Sequence, residues 1–152
     1  MTLQAWRIVK EKYAASALSG EGARLNGGRW NAKGRPVIYT SASLALAALE
    51  TLVHLNPRIL LRYVAGSIRF DAALVEIIDP DALPTDWRAE PPPLSTQRLG
   101  DLWLTEARSA ILEVPSVIVP AESNYLLNPA HADFRKVVIG KAEAFGFDPR
   151  LL

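Results

Sequence analysis

The chain has 152 residues, 49% of them hydrophobic and 22% charged, with a net charge of +1 and no cysteine. That length fits one domain able to bury a core. The missing cysteines exclude disulfides and thiolate metal sites, and they suit a reducing compartment.

Met1 to Lys10 lacks the basic start and apolar run of a signal peptide. The longest apolar stretch, Leu44 to Leu55, contains Glu50 and His54 and is too short to span a bilayer. A cytoplasmic protein without membrane contact is expected. Charge is unevenly placed: residues 1–70 carry ten Lys/Arg against three Asp/Glu, and residues 71–130 carry three against ten. Such halves suit phosphates on one side and a basic partner, or a second copy in a homodimer, on the other. They equally suit mutual neutralisation within one fold, and both readings stand.

Leu3–Val9 alternates and predicts a first strand, with Leu3, Ala5 and Arg7 facing one way. Tyr13–Leu18 predicts a short helix stopped by Gly20 and Gly22. Gly27-Gly28 marks a tight turn or a close approach of backbone, Gly34-Arg35-Pro36 a second turn, and Val37–Tyr39 a buried strand. Ser41 or Ser43 caps a helix over Leu44–Leu55, apolar nearly all round and so expected inside, ended by Asn56-Pro57. Leu60–Phe70 and Leu74–Ile78 read as two strands around a turn at Asp71-Ala72. Residues 79–95, rich in proline and acid, read as an ordered surface excursion.

Thr96–Arg108 predicts an amphipathic helix with Leu99, Trp103 and Ala107 on one stripe. Ala110–Val119 predicts two short strands broken at Pro115-Ser116. Asn124–Pro129 reads as a loop, Ala130–Phe134 as a helical turn, and Val137–Ile139 as a last strand. Strands outnumber helices, and the helices are not spaced for repeated βαβ crossovers. The expected class is α+β: a single domain with a bent or split, mainly antiparallel sheet flanked by helices.

Arg29, Tyr39 and Glu50 fall on consecutive elements (turn, strand and helix) that can converge on one cleft. A cation, an aromatic face and a carboxylate suit an anionic nucleotide whose ribose is attacked. Glu50 leaves an apolar helical face, so it must be paired, protonated or open to a polar cleft; Arg29 is its natural partner. The plain alternative is a helix acid at the core's rim that reaches water. GGRWN is neither a P-loop nor GxGxxG. Its plain reading is a glycine turn with Trp30 in the core, and its functional one uses Arg29 as a fork of donors. Ser116 lacks a Gly-x-Ser-x-Gly elbow and a His-Asp pair, which argues against a serine hydrolase. Glu50 and His54 alone make a poor zinc site, so no metal is expected. No helix-turn-helix or RNA-binding signature appears, which sets direct nucleic-acid binding aside.

Arg29 in GGRWN, Glu50 closing ALAALE and Ser116 in VPSVIVP resemble the Arg, Glu and Ser that name the RES-domain family. GGRWN-x-x-G-x-P-V-I-Y-T-S and VPSVIVPAESNYLLNPAH agree with it, and the resemblance runs from about Trp6 to Ile139. It implies an ADP-ribosyltransferase-like fold and the toxin of a bacterial toxin–antitoxin pair, encoded beside an Xre-type helix-turn-helix antitoxin. It implies NAD⁺ as the substrate, depleted by hydrolysis or phosphorolysis so that growth arrests; the alternatives are mono-ADP-ribosylation of a protein and a non-catalytic nucleotide-binding module. On this resemblance Arg29 holds the NAD⁺ phosphates or nicotinamide ribose, Tyr39 stacks on nicotinamide, and Glu50 acts at the ribose. Ser116 shapes the pocket, with Arg7, Asn31 and Asn124 as further candidates for its wall.

Overall fold

The fold is built on a sheet that nearly divides in two. In the computed structural model, which describes residues 1–55 and 62–152, eight strands are joined: β1 (Thr2–Lys10), β2 (Ile38–Ser41), β3 (Tyr63–Asp71), β4 (Val75–Ile77), β5 (Ile111–Pro115), β6 (Ser123–Leu127), β7 (Val138–Ile139) and β8 (Glu143–Phe145). Their order is β4-β5-β6-β2-β1-β3-β7, with β8 also on β3. All pairs are antiparallel except β4 with β5.

The division falls between β1 and β2. β1 runs against β3 over its whole length, from Thr2↔Asp71 to Lys10↔Tyr63. It meets β2 through a single pair, Trp6↔Ser41. Where that ladder fails, Arg7 replaces it: Nε donates to Ala17 O at 2.7 Å and Nη1 to Tyr39 O at 2.9 Å. The expected α+β class and mainly antiparallel, split sheet are what the molecule adopts.

Strand alternation sends neighbouring residues to opposite faces. Ile38, Ile111, Tyr125 and Leu127 pack with Ala5, Ile68 and Phe70 on one side. Leu112, Val114 and Leu126 pack on the other with Trp30, Val37, Trp103 and Leu104. Three helices flank the sheet: α1 (Glu21–Asn26), α2 (Leu44–Leu52) and α3 (Leu94–Glu106). α2 starts where Ser43 Oγ accepts from Leu46 N, so Ser43 is the cap and Ser41 is not. α3 lies so close to the glycine-rich turn that a Cβ on Gly100 would sit 1.6 Å from Trp30 O. Gln97 Nε2 donates to Gly28 O and Asp101 accepts from Ala32 N, so α3 clamps both ends of GGRWN.

Several local expectations are corrected. Tyr13–Leu18 is mostly a 3-10 helix over Glu11–Ser16, and α1 follows, running through Gly22; Gly20, with φ 75°, precedes that helix rather than ending one. The two strands expected around Asp71-Ala72 do form, as β3 and β4, but they do not pair and stand toward opposite ends of the sheet. Asn124–Pro129 is no loop: β6 occupies Ser123–Leu127 at the sheet's centre. Residues 117–119 turn instead of forming a second strand, and β8 adds a strand the pattern did not suggest. α2 is only half inside, with Leu46 and Ala47 buried but Leu49 and Val53 exposed. The expected stop at Asn56-Pro57 and the start of the strand at Leu60 lie outside the described residues. Among the described residues, no helix is long and apolar enough to cross a membrane.

Candidate active site

The site forms where α2 passes over the ends of β2, β5 and β6. Glu50, on the last turns of α2, reaches the sheet, and its Oε1 accepts two hydrogen bonds of 2.7 Å, from Ser116 Oγ and from Asn124 Nδ2. Ser116 follows β5 and is fully buried. Its hydroxyl also accepts from Ile118 N and Val119 N at 3.1 Å each. That hydroxyl is fully employed and serves as a rigid donor, which agrees with the argument against a serine nucleophile.

Asn124, on β6, is itself oriented. Ser41 Oγ donates to Asn124 Oδ1 at 2.7 Å, which turns the Nδ2 group toward Glu50. Ser41 and Asn124 are register partners on β2 and β6, so the strand pairing creates this contact. The chain Ser41–Asn124–Glu50–Ser116 therefore holds one carboxylate oxygen with neutral donors. Among the described residues no hydrogen bond engages Oε2.

Tyr39 is half-buried on β2. Its hydroxyl donates to Asn31 Oδ1 at 2.5 Å and accepts from Trp30 N at 3.1 Å. Asn31 is fully buried, and its Nδ2 donates to Ala23 O and Ala32 O. Gly28 makes this possible, because a Cβ there would come within 2.6 Å of the tyrosine oxygen. Burial pushes the Tyr39 phenol well above its ordinary value; the Asp101 charge adds to this, while Trp30 N and the Arg29 charge oppose it. The phenol stays neutral and ties the glycine turn to the sheet.

Arg29 does not pair with Glu50 as expected. Nη1 donates to Trp87 O at 3.0 Å and Ala89 O at 2.8 Å, and Nη2 pairs with Glu90. The segment of residues 79–95 thus does more than cross the surface: it wraps the guanidinium. Burial lowers the Arg29 pKa, and the charge of Glu50 opposes that. The pairing changes because each group has other partners: α2 lays Glu50 over two neutral donors, and the strap at residues 87–90 supplies two carbonyls and an acid to the fork.

Of the seven residues singled out, Glu50, Ser116 and Asn124 form one connected cluster, and Tyr39 with Asn31 forms a second. Arg29 joins neither cluster by a hydrogen bond among the described residues and is held instead by the strap. Arg7 donates to two backbone carbonyls and joins the sheet halves; desolvation lowers its pKa. The sequence reading missed Ser41 and the strap carbonyls. Ser41 was visible only as a cap candidate, and no local pattern announces a backbone carbonyl. Among the described residues no group of three or more His, Asp or Glu is gathered for a metal ion.

A split, mainly antiparallel sheet whose helix-borne acid is held by a buried serine defines a class of domain. The model of the RES domain matches residues 4–148, and the chain belongs to that family. It is 42% identical over 149 residues to a protein named Toxin Res from Photorhabdus laumondii, an alignment covering 97% of this chain and 96% of the relative. A protein of the same name from Yersinia enterocolitica is 41% identical, with 96% and 97% covered. A Sphingobium protein named Prs ADP-ribosylating toxin is 42% identical over 166 residues, with 100% and 98% covered.

Proposed function

We propose that the protein is an enzyme that breaks the nicotinamide–ribose bond of NAD⁺, and that it acts as the toxin of a bacterial toxin–antitoxin pair. The observation that carries the chemistry is Glu50, with Oε1 fixed by Ser116 and Asn124 at 2.7 Å each and Oε2 unengaged by the described residues. Nicotinamide leaves NAD⁺ as a neutral base, so no acid need protonate it. What needs help is the ribose, which turns positive as the bond stretches. A carboxylate already oriented toward the ribose hydroxyls stabilises that charge without reorganising. The physics is that of glycoside hydrolysis with one acid instead of two.

The other roles follow from position. Arg29, oriented by the strap carbonyls, holds the diphosphate and keeps the bond in a reactive orientation. Tyr39, its hydroxyl tied back, offers its ring to nicotinamide. Ser116 and Asn124 steady the acid. Water or phosphate is the acceptor, and depletion of NAD⁺ stops growth. The partner is an antitoxin of the Xre helix-turn-helix type, and the setting is the cytoplasm.

A second reading takes a protein side chain as acceptor, favoured by the name of the Sphingobium relative. One experiment separates the two: purified protein is incubated with NAD⁺, with and without phosphate and cell lysate, and all products are identified. Free ADP-ribose or its phosphate supports depletion, and labelled protein supports transfer. Intact NAD⁺ under every condition refutes both and leaves a binding module.

A further inference from the structure

The guanidinium of Arg29 is wrapped on one side and plugged on another, and the two contacts differ in kind. The side chain is only 12% exposed, whereas that of Glu90 is 69% exposed. Trp87 O and Ala89 O take both Nη1 hydrogens, orient the group and bring no charge. Glu90 supplies the anion at Nη2, and among the described residues it is the one acid in contact with Arg29. A largely buried cation without a close counter-charge is costly, so some anion belongs there. An exposed glutamate tip is a replaceable one, since rotating it into water breaks no packing.

We propose that Glu90 is an internal competitor for the anion seat on Arg29, holding the place of a ligand phosphate oxygen and swinging out when a nucleoside diphosphate group arrives. This rests on the reading above, in which Arg29 receives the NAD⁺ diphosphate. The two backbone carbonyls stay, so the fork keeps its orientation as the anion is exchanged. The incoming diphosphate carries charge of the same sign as Glu90, and repulsion drives the carboxylate out once a phosphate oxygen reaches Nη2. Glu90 thereby sets how much ligand is needed before the site fills.

The test is a gain, which mere damage to the strap would not produce. Glu90→Gln keeps the shape and removes the charge. It should bind NAD⁺ and inorganic pyrophosphate about three- to fivefold more tightly by calorimetry, the range expected for losing one partly exposed ion pair. In steady-state nicotinamide release the change should lie in KM, lowered by the same factor, with kcat moved less. The difference from wild type should shrink as salt is raised, because the competition is electrostatic. Glu90→Ala should agree in direction. Equal or weaker binding in both variants overturns the proposal. Wild-type protein that neither binds nor cleaves NAD⁺ overturns the underlying reading instead, so the two failures are distinguishable.

Discussion

Replacing Glu50 by glutamine tests the chemistry most directly, because the structure says what the change leaves alone. The glutamine oxygen can take the place of Oε1 and accept from Ser116 and Asn124, so both donors stay satisfied. Each bond loses its charge-assisted share, about 1 kcal/mol. That loss is offset because a partly buried charge no longer has to be held out of water. The melting temperature should therefore move by no more than about 3 °C. Turnover is another matter. A carboxylate about 4 Å from a developing ribose cation contributes about 4 kcal/mol at an effective dielectric near 20. Removing it should slow nicotinamide release at saturating NAD⁺ by about a thousandfold. Glu50→Ala should be as slow but less stable, since it strands the Ser116 hydroxyl and the Asn124 amide. Initial rates by chromatography, with circular dichroism melts of the same samples, give both numbers. A folded glutamine variant within about threefold of wild type would refute the role of this acid.

Asn124→Ala removes one of the two neutral donors from Glu50 and should lower kcat by about ten- to a hundredfold, with a smaller change in KM. Ser41→Ala acts only through Asn124 and should cost less; a larger loss there than at Asn124 would break the relay. Gly100→Ala places a methyl 1.6 Å from Trp30 O, where backbone must yield. It should destabilise by about 3 kcal/mol or more, read as a lower urea midpoint, and a wild-type midpoint would contradict the seating of α3 on the glycine turn. Tyr39 is held protonated in the fold, above the ordinary 10.0 of a free tyrosine, and Tyr125 is pushed up to about 12, both chiefly by burial. Above pH 10.0 the unfolded chain releases these protons while the folded one retains them, so stability is whole below that pH and falls as pH climbs. Tyr39→Phe should flatten part of the fall in thermal melts taken across that window, and an unchanged slope would assign it elsewhere.

The sequence by itself determined the local half of the protein. A serine cap at 41 or 43 followed by an apolar run specifies α2 and where Glu50 emerges, because a cap and a period of 3.6 residues act over a few positions. The excess of strands over helices specified the α+β class, and GGRWN, ALAALE and VPSVIVP marked Arg29, Glu50 and Ser116. The tertiary structure decided everything that depends on which strand lies beside which. β6 read as a loop because Asn124, Asn128 and Pro129 are turn formers; only its place between β5 and β2 makes it a strand, and that place aims Asn124 at Glu50 through Ser41. Arg29 pairs with Glu90, sixty-one residues away along the chain, and not with the acid that sequence order suggested. Propensity and periodicity act between near neighbours, whereas a hydrogen bond is chosen among all the groups that folding brings within 3 Å, and that choice exists only once the sheet has closed.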